Sequence, residues 1–143
     1  MEDNLINLYP FWLERTIRTL KGQQLRKLKE NNIDLTIEQW IVLLGVKNYE
    51  GATQKEISDN TLKDTANVKR IIDQLIKKGF VKRQEHSTDL RKTHLSMTEK
   101  GGKIVLKALP IMDSVRKNGL TDVSEKEFDY LVSTLKKIYH NLV

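Results

Sequence analysis

Apolar residues recur every three or four positions through most of this chain, which is the spacing of amphipathic helices. The most regular stretch begins after Asp64, an N-cap residue type, and stops at Gly79, which suits the position just past a helix C-terminus. Its apolar positions are Val68, Ile71, Ile72, Leu75 and Ile76. The pattern therefore predicts a short helix with one apolar face and with polar residues, Arg70 among them, on the opposite face.

Residues 80–97 depart from the helical period and predict a β-hairpin. The runs FVKR (80–83) and THLSM (93–97) have strand-like composition, and they flank a polar segment whose tip is DLRK. Turn-forming polar residues between two such runs are typical of a hairpin connection. We therefore expect two antiparallel strands around a basic tip at residues 89–92.

The rest of the chain is predicted to be helical, with boundaries marked by capping and breaking residues. Residues 2–32 carry one long helical pattern, which Pro10 either interrupts or opens, because proline is tolerated in the first turn but not in the interior. Capping boxes, in which serine or threonine precedes glutamate or glutamine by three residues, start three helices at Thr36, Thr53 and Ser124. The helix from Thr36 is apolar nearly all round, so we expect it at the centre of the core.

The two C-terminal helices are predicted from Thr98 and from Ser124. In the first, Gly101 and Gly102 should leave the opening turn soft, and Pro110 should kink the helix. The second keeps a regular apolar stripe. Long terminal helices of this kind can complete the core of one chain or associate with a second copy. We favour a homodimer, in which a twofold axis presents the same surface helix twice.

The order of elements predicts a fold that is mainly α with a small β-hairpin (α+β). A short helix, a tight link and a second amphipathic helix form a helix-turn-helix, and the hairpin that follows makes it a winged one. A polar-faced helix beside a basic β-ribbon can enter one DNA groove and touch the next. We therefore divide the chain into an N-terminal dimerisation helix region (1–34), a winged helix-turn-helix domain (35–98) and C-terminal dimerisation helices (99–143).

Composition narrows the classes of function. The chain has 143 residues and no cysteine, which excludes disulfides, thiolate zinc sites and sensing by a reactive thiol. No stretch approaches the roughly 18 apolar residues of a membrane span, and the acidic start is not a signal peptide, so we expect a soluble cytoplasmic protein. The formal net charge is +6, and residues 53–100 hold eleven lysines and arginines against seven acids. This asymmetry favours a localised footprint for a polyanion.

Three stretches of the chain carry a family resemblance. LTIEQWIVLLGV, TQKEISDN and VKRIIDQLIKKGFVKRQEHSTDLRKTHLSMTEKG, within residues 35–102, resemble the MarR family of bacterial transcriptional regulators. The most specific part runs from Leu75 to Gly102, with a helix end at Lys-Lys-Gly, an Asp-x-Arg wing tip and a helix restart at the family's separations. The flanking helices match only in length and placement.

The resemblance implies a triangular homodimer whose terminal helices interleave and whose winged helices bind successive grooves of a palindrome. It implies that Asp89 braces the wing and that Arg91 enters the minor groove. It also implies a small anionic or phenolic ligand in a cleft between the dimerisation and DNA-binding parts. Leu90 stands where the family commonly has another arginine, so one minor-groove charge is missing. The absence of cysteine rules out the peroxide-sensing branch.

Candidate DNA contacts follow from the chemistry of the side chains. Arginine suits guanine edges and asparagine suits adenine, while lysine, threonine and helix N-termini suit phosphate. An arginine in a narrow minor groove meets enhanced negative potential. On the helix from Asp64, Lys69 can also pair with Asp73, which is expected to lie away from the DNA or to neutralise a neighbour. The predicted DNA-binding residues are Thr53, Lys55, Thr65, Ala66, Asn67, Lys69, Arg70, Arg83, Asp89, Arg91 and Lys92.

Other kinds of site have weaker signals. Tyr9, Trp12, Arg15 and Trp40 are candidates for an effector cleft between the first two helices, although aromatic residues on helix faces are more often core. The histidines lack the spacing of metal ligands, so we expect no metal and no cofactor. Phosphate-loop, nucleophile-elbow and HExxH motifs are absent, which argues against an enzyme.

The sequence thus predicts a sequence-specific regulator of transcription that binds double-stranded DNA as a homodimer, with repression as the favoured mode and release by a small molecule as an option. The alternative is a winged-helix protein-interaction module without a DNA target, in which basic residues would be dispersed over the fold. A small-molecule carrier without DNA output would instead show a negatively charged recognition face. The local excess of four positive charges argues against the carrier.

Overall fold

Helices and one β-hairpin make up the fold. The computed structural model describes Asn4 and residues 7–61, 64–85 and 93–143. Within them the order is α1 (Tyr9–Glu30), α2 (Ile37–Asn48), α3 (Gln54–Thr61), α4 (Thr65–Lys77), β1 (Val81–Glu85), β2 (Thr93–Met97), α5 (Glu99–Gly119) and α6 (Glu125–Leu142). The predicted fold class is confirmed. None of the described helices is both long enough and apolar enough to cross a membrane.

The helix starts lie where the capping residues predict them. The Thr36 Oγ1 accepts from the Gln39 N–H at 3.1 Å, and the Thr36 N–H donates back to the Gln39 side chain at 3.2 Å. The boxes that begin at Thr53 and Ser124 are closed in the same reciprocal way. Pro10 lies in the first turn of α1, so it opens that helix and does not break it. Each cap satisfies N–H groups that a helix start leaves without intrahelical partners.

The hairpin is antiparallel and is attached to the turn before α3. Its register pairs Val81 with Met97, so β1 begins one residue later than predicted. The Leu95 N–H donates to the Ala52 carbonyl at 2.9 Å, and the Gly51 N–H donates to the Leu95 carbonyl at 3.1 Å. These bonds hold the base of the hairpin beside the start of α3. Residues 62 and 63 of the predicted link, which runs from Leu62 to Asp64, lie outside the described residues, and so does the predicted basic tip at residues 89–92.

One apolar core connects all three predicted segments of the chain. It contains Leu28 of α1, Leu43 of α2 and Val105 of α5, each at most 1% exposed. Helix α2 runs through its middle, as its apolar composition predicts, with buried positions on nearly every side. Helices α3 and α4 and the hairpin therefore pack against the same core as α1 and α5.

Gly101 has a different role from the one expected of it. It is buried in the first turn of α5, and a Cβ at this position would lie 2.1 Å from the Phe80 carbonyl oxygen. Thr98 caps the same turn, and its hydroxyl also donates to the Gly79 carbonyl at 2.6 Å. Glycine is therefore needed here for close packing of α5 against the end of α4, and the turn is tightly held. Pro110 lies within α5, which continues to Gly119.

Helix α6 buries none of its residues in the single chain. Its apolar stripe includes Phe128, Leu131 and Tyr139, which are 41%, 49% and 54% exposed. The N-terminal half of α1 is similar, since Trp12 is 48% and Ile17 is 51% exposed. The apolar faces of the terminal helices are thus left uncovered at one end of the molecule.

Candidate nucleic-acid interface

Helix α4 presents a polar outer face at the surface. Thr65, Ala66, Lys69 and Arg70 are exposed, whereas the apolar stripe on the opposite side is at most 1% exposed at its four buried positions. The Asp64 carboxylate accepts from the Asn67 N–H at 2.8 Å and fixes the start of the helix. Burial of one face therefore determines which residues face outwards, and these are the residues predicted to read DNA.

Asn67 and Arg70 are joined on this face. The Arg70 guanidinium donates to the Asn67 Oδ1 at 2.7 Å. A guanidinium has five N–H donors, and the Asn67 side chain keeps its two amide N–H donors. The pair can therefore still donate several hydrogen bonds to a ligand. The contact orients Arg70 towards the N-terminal half of α4, the part of a recognition helix that reaches base edges.

A second group of predicted residues lines a groove between the start of α3, α4 and the hairpin. The groove is about 650 Å³, and five of its nine lining residues were predicted to bind DNA: Thr53, Lys55, Thr65, Lys69 and Arg83. Gln54 and Thr93 also line the groove but were not predicted, because their position there depends on how β2 packs against α3. The capping box already occupies the N–H groups of Thr53 and Glu56, so an anion at the start of α3 has the amides of the first two helical residues available.

Arg83 is paired across the groove with an acid. Its guanidinium donates to the Asp73 Oδ1 at 2.6 Å, which joins β1 to α4. This hydrogen bond and the nearby positive charge hold the pKa of Asp73 below its ordinary value of 3.8. The carboxylate therefore stays charged at neutral pH, and the pair is lost only as the pH falls below that value. The expectation that Asp73 neutralises a neighbour is confirmed, and the neighbour is Arg83.

The three predicted wing-tip contacts, Asp89, Arg91 and Lys92, lie outside the described residues, as does Leu90. Their roles stay predictions that rest on the resemblance and on the chemistry of a basic hairpin tip. The described part of the ribbon, β1 paired with β2, shares the groove with α4 and places Arg83 and Thr93 beside Lys69.

The predicted effector residues do not form one site. Trp40 is 5% exposed and packs in the core, and Tyr9 is 56% exposed at the start of α1. Trp12 and Arg15 do line a cavity of about 650 Å³, but it lies between α1, the end of α5 and the start of α6. The four residues therefore do not line one cleft between the first two helices, because Trp40 faces inwards from α2 and fills the core. The Arg15 guanidinium lies 5.7 Å from the ring centroids of Phe11 and Trp12.

Comparison with known proteins gives the same assignment as the fold. A model of the MarR family matches residues 35–93. The HTH-type transcriptional regulator SarZ of Staphylococcus haemolyticus is 30% identical over 108 residues, which cover 76% of this chain and 72% of that protein.

Two solved structures share the fold over nearly the whole chain. The S. aureus MepR–DNA complex has a TM-score of 0.86 at 22% identity and covers 94% of this chain and 98% of that one. Bordetella bronchiseptica BpsR, whose DNA binding is regulated by 6-hydroxynicotinic acid, has a TM-score of 0.86 at 17% identity, with coverages of 97% and 98%. The chain belongs to the MarR family of helix-turn-helix transcriptional regulators and is not an enzyme.

Proposed function

We propose that this regulator binds a pseudo-palindromic DNA operator as a homodimer and represses transcription by occupying it. The observation that carries the proposal is the outer face of α4, where Thr65, Ala66, Lys69 and Arg70 are exposed beside the start of α3 and the hairpin. A helix of this kind fits the major groove, and the ribbon next to it reaches the neighbouring groove.

Each candidate side chain has a role suited to its chemistry. Asn67 and Arg70 are proposed to read base edges, and Ala66 to contact a thymine methyl group. Lysines and threonines around the groove are proposed to bind phosphates: Thr53, Lys55, Thr65 and Lys69. Arg83, paired with Asp73, contributes less positive charge and mainly positions the ribbon. Asp89 is proposed to brace the wing, and Arg91 and Lys92 to reach the minor groove.

The homodimer is supported by the uncovered apolar faces of α1 and α6. Large apolar side chains exposed together on two long helices mark an interaction surface more often than scattered single residues do. Each chain carries the same faces, so two copies related by a twofold axis cover them mutually. Such a dimer presents two α4 helices, which is the geometry that a pseudo-palindromic operator requires.

We propose that a small aromatic anion releases the DNA by binding in the cavity between α1, α5 and α6. Trp12 and Phe128 supply apolar walls, and Arg15, Arg26 and Arg116 supply positive charge. Arg116 already pairs with Asp113 at 2.9 Å, whereas Arg15 stands over two aromatic rings. BpsR, which has the same fold, is a protein whose DNA binding responds to an aromatic acid.

The test begins with selection of bound duplexes from a random pool, followed by titration of the selected duplex at fixed salt. Arg70→Ala should weaken specific binding about tenfold or more, because one good bidentate base contact is worth about 1–3 kcal/mol. Discrimination at the base that Arg70 reads should relax at the same time. Arg18→Ala removes the same charge from α1 and is the matched control. Equal affinities for the two variants would overturn the assigned role of α4.

A further inference from the structure

A second, strongly basic cavity lies away from the groove beside α3. It is about 560 Å³ and is formed by the connector between α1 and α2, the end of α4 and the first half of α5. Its lining residues are Asn32, Asp34, Lys77, Lys78, Phe80, Lys100, Lys103, Ile104 and Lys107. Five lysines thus line one cavity with a single acidic residue, Asp34.

The available acids neutralise only part of this charge. Asp34 pairs with Lys78 at 3.2 Å, and Glu99 pairs with Lys103 at 3.3 Å, but the second pair is highly exposed and is therefore weak. Among the described residues, Lys77 and Lys107 have no ion pair. Lysines that line one cavity raise its positive potential and concentrate anions there.

Two of the lysines are held in place before any ligand arrives. The Lys78 ammonium donates to the Asp34 carbonyl and to the Gln39 Oε1, each at 2.9 Å, and its side chain is only 26% exposed. The Lys100 ammonium donates to the Lys78 carbonyl at 2.9 Å and lies 5.3 Å from the Phe80 ring centroid. Fixed donors lower the entropic cost of binding, which distinguishes this cavity from a set of freely moving surface lysines.

We propose that this cavity binds a small polyvalent anion that carries two or more linked phosphate groups. Its volume falls within the roughly 300–1,000 Å³ of small-molecule sites, and lysine ammonium groups bind phosphate as point charges. Several phosphates are needed to match the surplus of positive charge. The side chains of Ile104 and Phe80 add an apolar wall against which an organic group attached to the phosphates can pack.

The site is connected to the recognition helix by a polar chain. Lys78 contacts Gln39, which is 4% exposed, and the Gln39 side-chain amide donates to the Gln74 Oε1 on α4 at 3.1 Å. Lys77 lines both this cavity and the outer face of α4. A bound polyphosphate competes with Asp34 for Lys78 and draws Lys77 away from the outer face. This consequence rests on the proposed function, in which the outer face of α4 lies against DNA: loss of the Lys77 charge from that face weakens its attraction for DNA phosphates.

The binding test uses inorganic tripolyphosphate with the full chain in isothermal titration calorimetry, at constant ionic strength. The wild-type protein should show saturable binding at one site per chain. Lys103→Gln with Lys107→Gln should weaken it about tenfold or more, because two of the five positive charges that bind phosphate are removed. Lys136→Gln with Lys137→Gln removes the same charge from α6 and should bind as the wild type does. Absence of saturation, or equal loss in both double variants, overturns the site.

The regulatory test compares DNA affinity with and without tripolyphosphate. Coupling between two sites is reciprocal, so DNA should lower the affinity for tripolyphosphate by the same factor, typically about 5–150-fold. This mutual effect should disappear in the Lys103→Gln, Lys107→Gln protein. If it persists there, tripolyphosphate competes directly at the DNA surface and the regulatory role is wrong.

Two further binding measurements identify which molecule supplies the phosphates. Stronger binding of ATP than of tripolyphosphate assigns the cavity to a nucleotide, and equal binding assigns it to inorganic polyphosphate. If the Lys103→Gln, Lys107→Gln protein loses more DNA affinity than the α6 control when tripolyphosphate is absent, the cavity holds DNA phosphates and the proposal fails. If the protein binds no duplex at all, the proposed function fails, and the calorimetric titration still decides whether the anion site exists.

Discussion

Helices α4 and α6 have nearly the same sequence pattern and opposite surroundings. Both start with a side-chain cap, and both keep an apolar stripe along their whole length. In α4 the four buried positions of the stripe, Val68, Ile71, Ile72 and Leu75, are at most 1% exposed. In α6 no residue is buried. Periodicity thus shows which face of a helix is apolar, but not whether the same chain covers it.

The difference separates two kinds of stabilisation. Burial of the α4 stripe removes apolar area from water at a gain of about 25 cal/mol per Å², and this gain belongs to the single chain. The stripe of α6 gains the same amount only when another surface covers it. We therefore expect substitutions in α4 to act on folding and substitutions in α6 to act on association.

The largest effect on stability is expected from Leu75→Ala in α4. Leu75 is fully buried, so the substitution should lower the free energy of unfolding by about 2–5 kcal/mol at every protein concentration. Leu131→Ala in α6 should cost little in dilute protein and more as the concentration rises, because its contribution comes through association. Urea denaturation at several concentrations measures both. A concentration-independent loss in Leu131→Ala that equals the loss in Leu75→Ala contradicts the distinction.

A charge within the α6 stripe should separate the two copies. Leu131→Asp places a carboxylate in the proposed interface, and the lost burial of one leucine alone, about 1.5–3 kcal/mol, should weaken association by at least tenfold. Sedimentation equilibrium measures the dissociation constant. Ser133→Asp adds the same charge off the stripe and should leave association unchanged. If both variants sediment as the wild type does, the α6 stripe does not mediate association and the proposed interface is wrong.

The start of α5 packs closely against Phe80, which follows α4, and Gly101→Ala tests this contact. The added Cβ meets the Phe80 carbonyl oxygen, so we expect a loss of about 1–3 kcal/mol in the free energy of unfolding. Gly102 is the matched control, because a Cβ there meets nothing within 4 Å. Gly102→Ala should stabilise the helix by up to about 1 kcal/mol. Thermal denaturation of both variants decides, and a stable Gly101→Ala protein would contradict the tight contact.

The smallest effect is expected from Asp73→Asn on the outer face of α4. The substitution removes a negative charge and frees Arg83, so binding to random duplex should strengthen and its log–log salt slope should steepen by about 0.9 for one added phosphate contact. Because the pKa of Asp73 is lowered, its carboxylate is charged throughout the neutral range, and the difference from wild type should be constant between about pH 5 and pH 8. Asp129→Asn in α6 is the control. Equal salt slopes for Asp73→Asn and Asp129→Asn would contradict the claim that Asp73 neutralises Arg83.

Local signals predicted most of the fold. Capping boxes, the Asp64 cap, the proline in the first turn of α1 and the left-handed Gly79 are each decided within a few residues, so the sequence predicts them directly. The same holds for the outer face of α4, because burial of its regular stripe leaves only one orientation. These features account for the correct order of elements and for the candidate DNA contacts on α4.

Contacts between distant elements could not be predicted in the same way. The Asp73–Arg83 pair depends on how β1 leaves α4, and the contact of Gly101 with Phe80 depends on the return of the chain after the hairpin. The sequence predicts Trp40 as a cleft residue, but an aromatic side chain has the same pattern in a core as in a pocket, and Trp40 packs in the core. The five-lysine cavity joins residues 32 to 107, a separation over which spacing carries no information.

The composition of the protein–DNA complex tests most directly the claim that α4 reads DNA while α6 pairs two copies. Duplexes selected from a random pool are sequenced, and the complex with the best of them is studied by sedimentation equilibrium. We expect two chains per duplex and an inverted repeat whose half-sites lie about one helical turn, roughly 10 base pairs, or a multiple of it apart. A single chain on a duplex without an inverted repeat would contradict it.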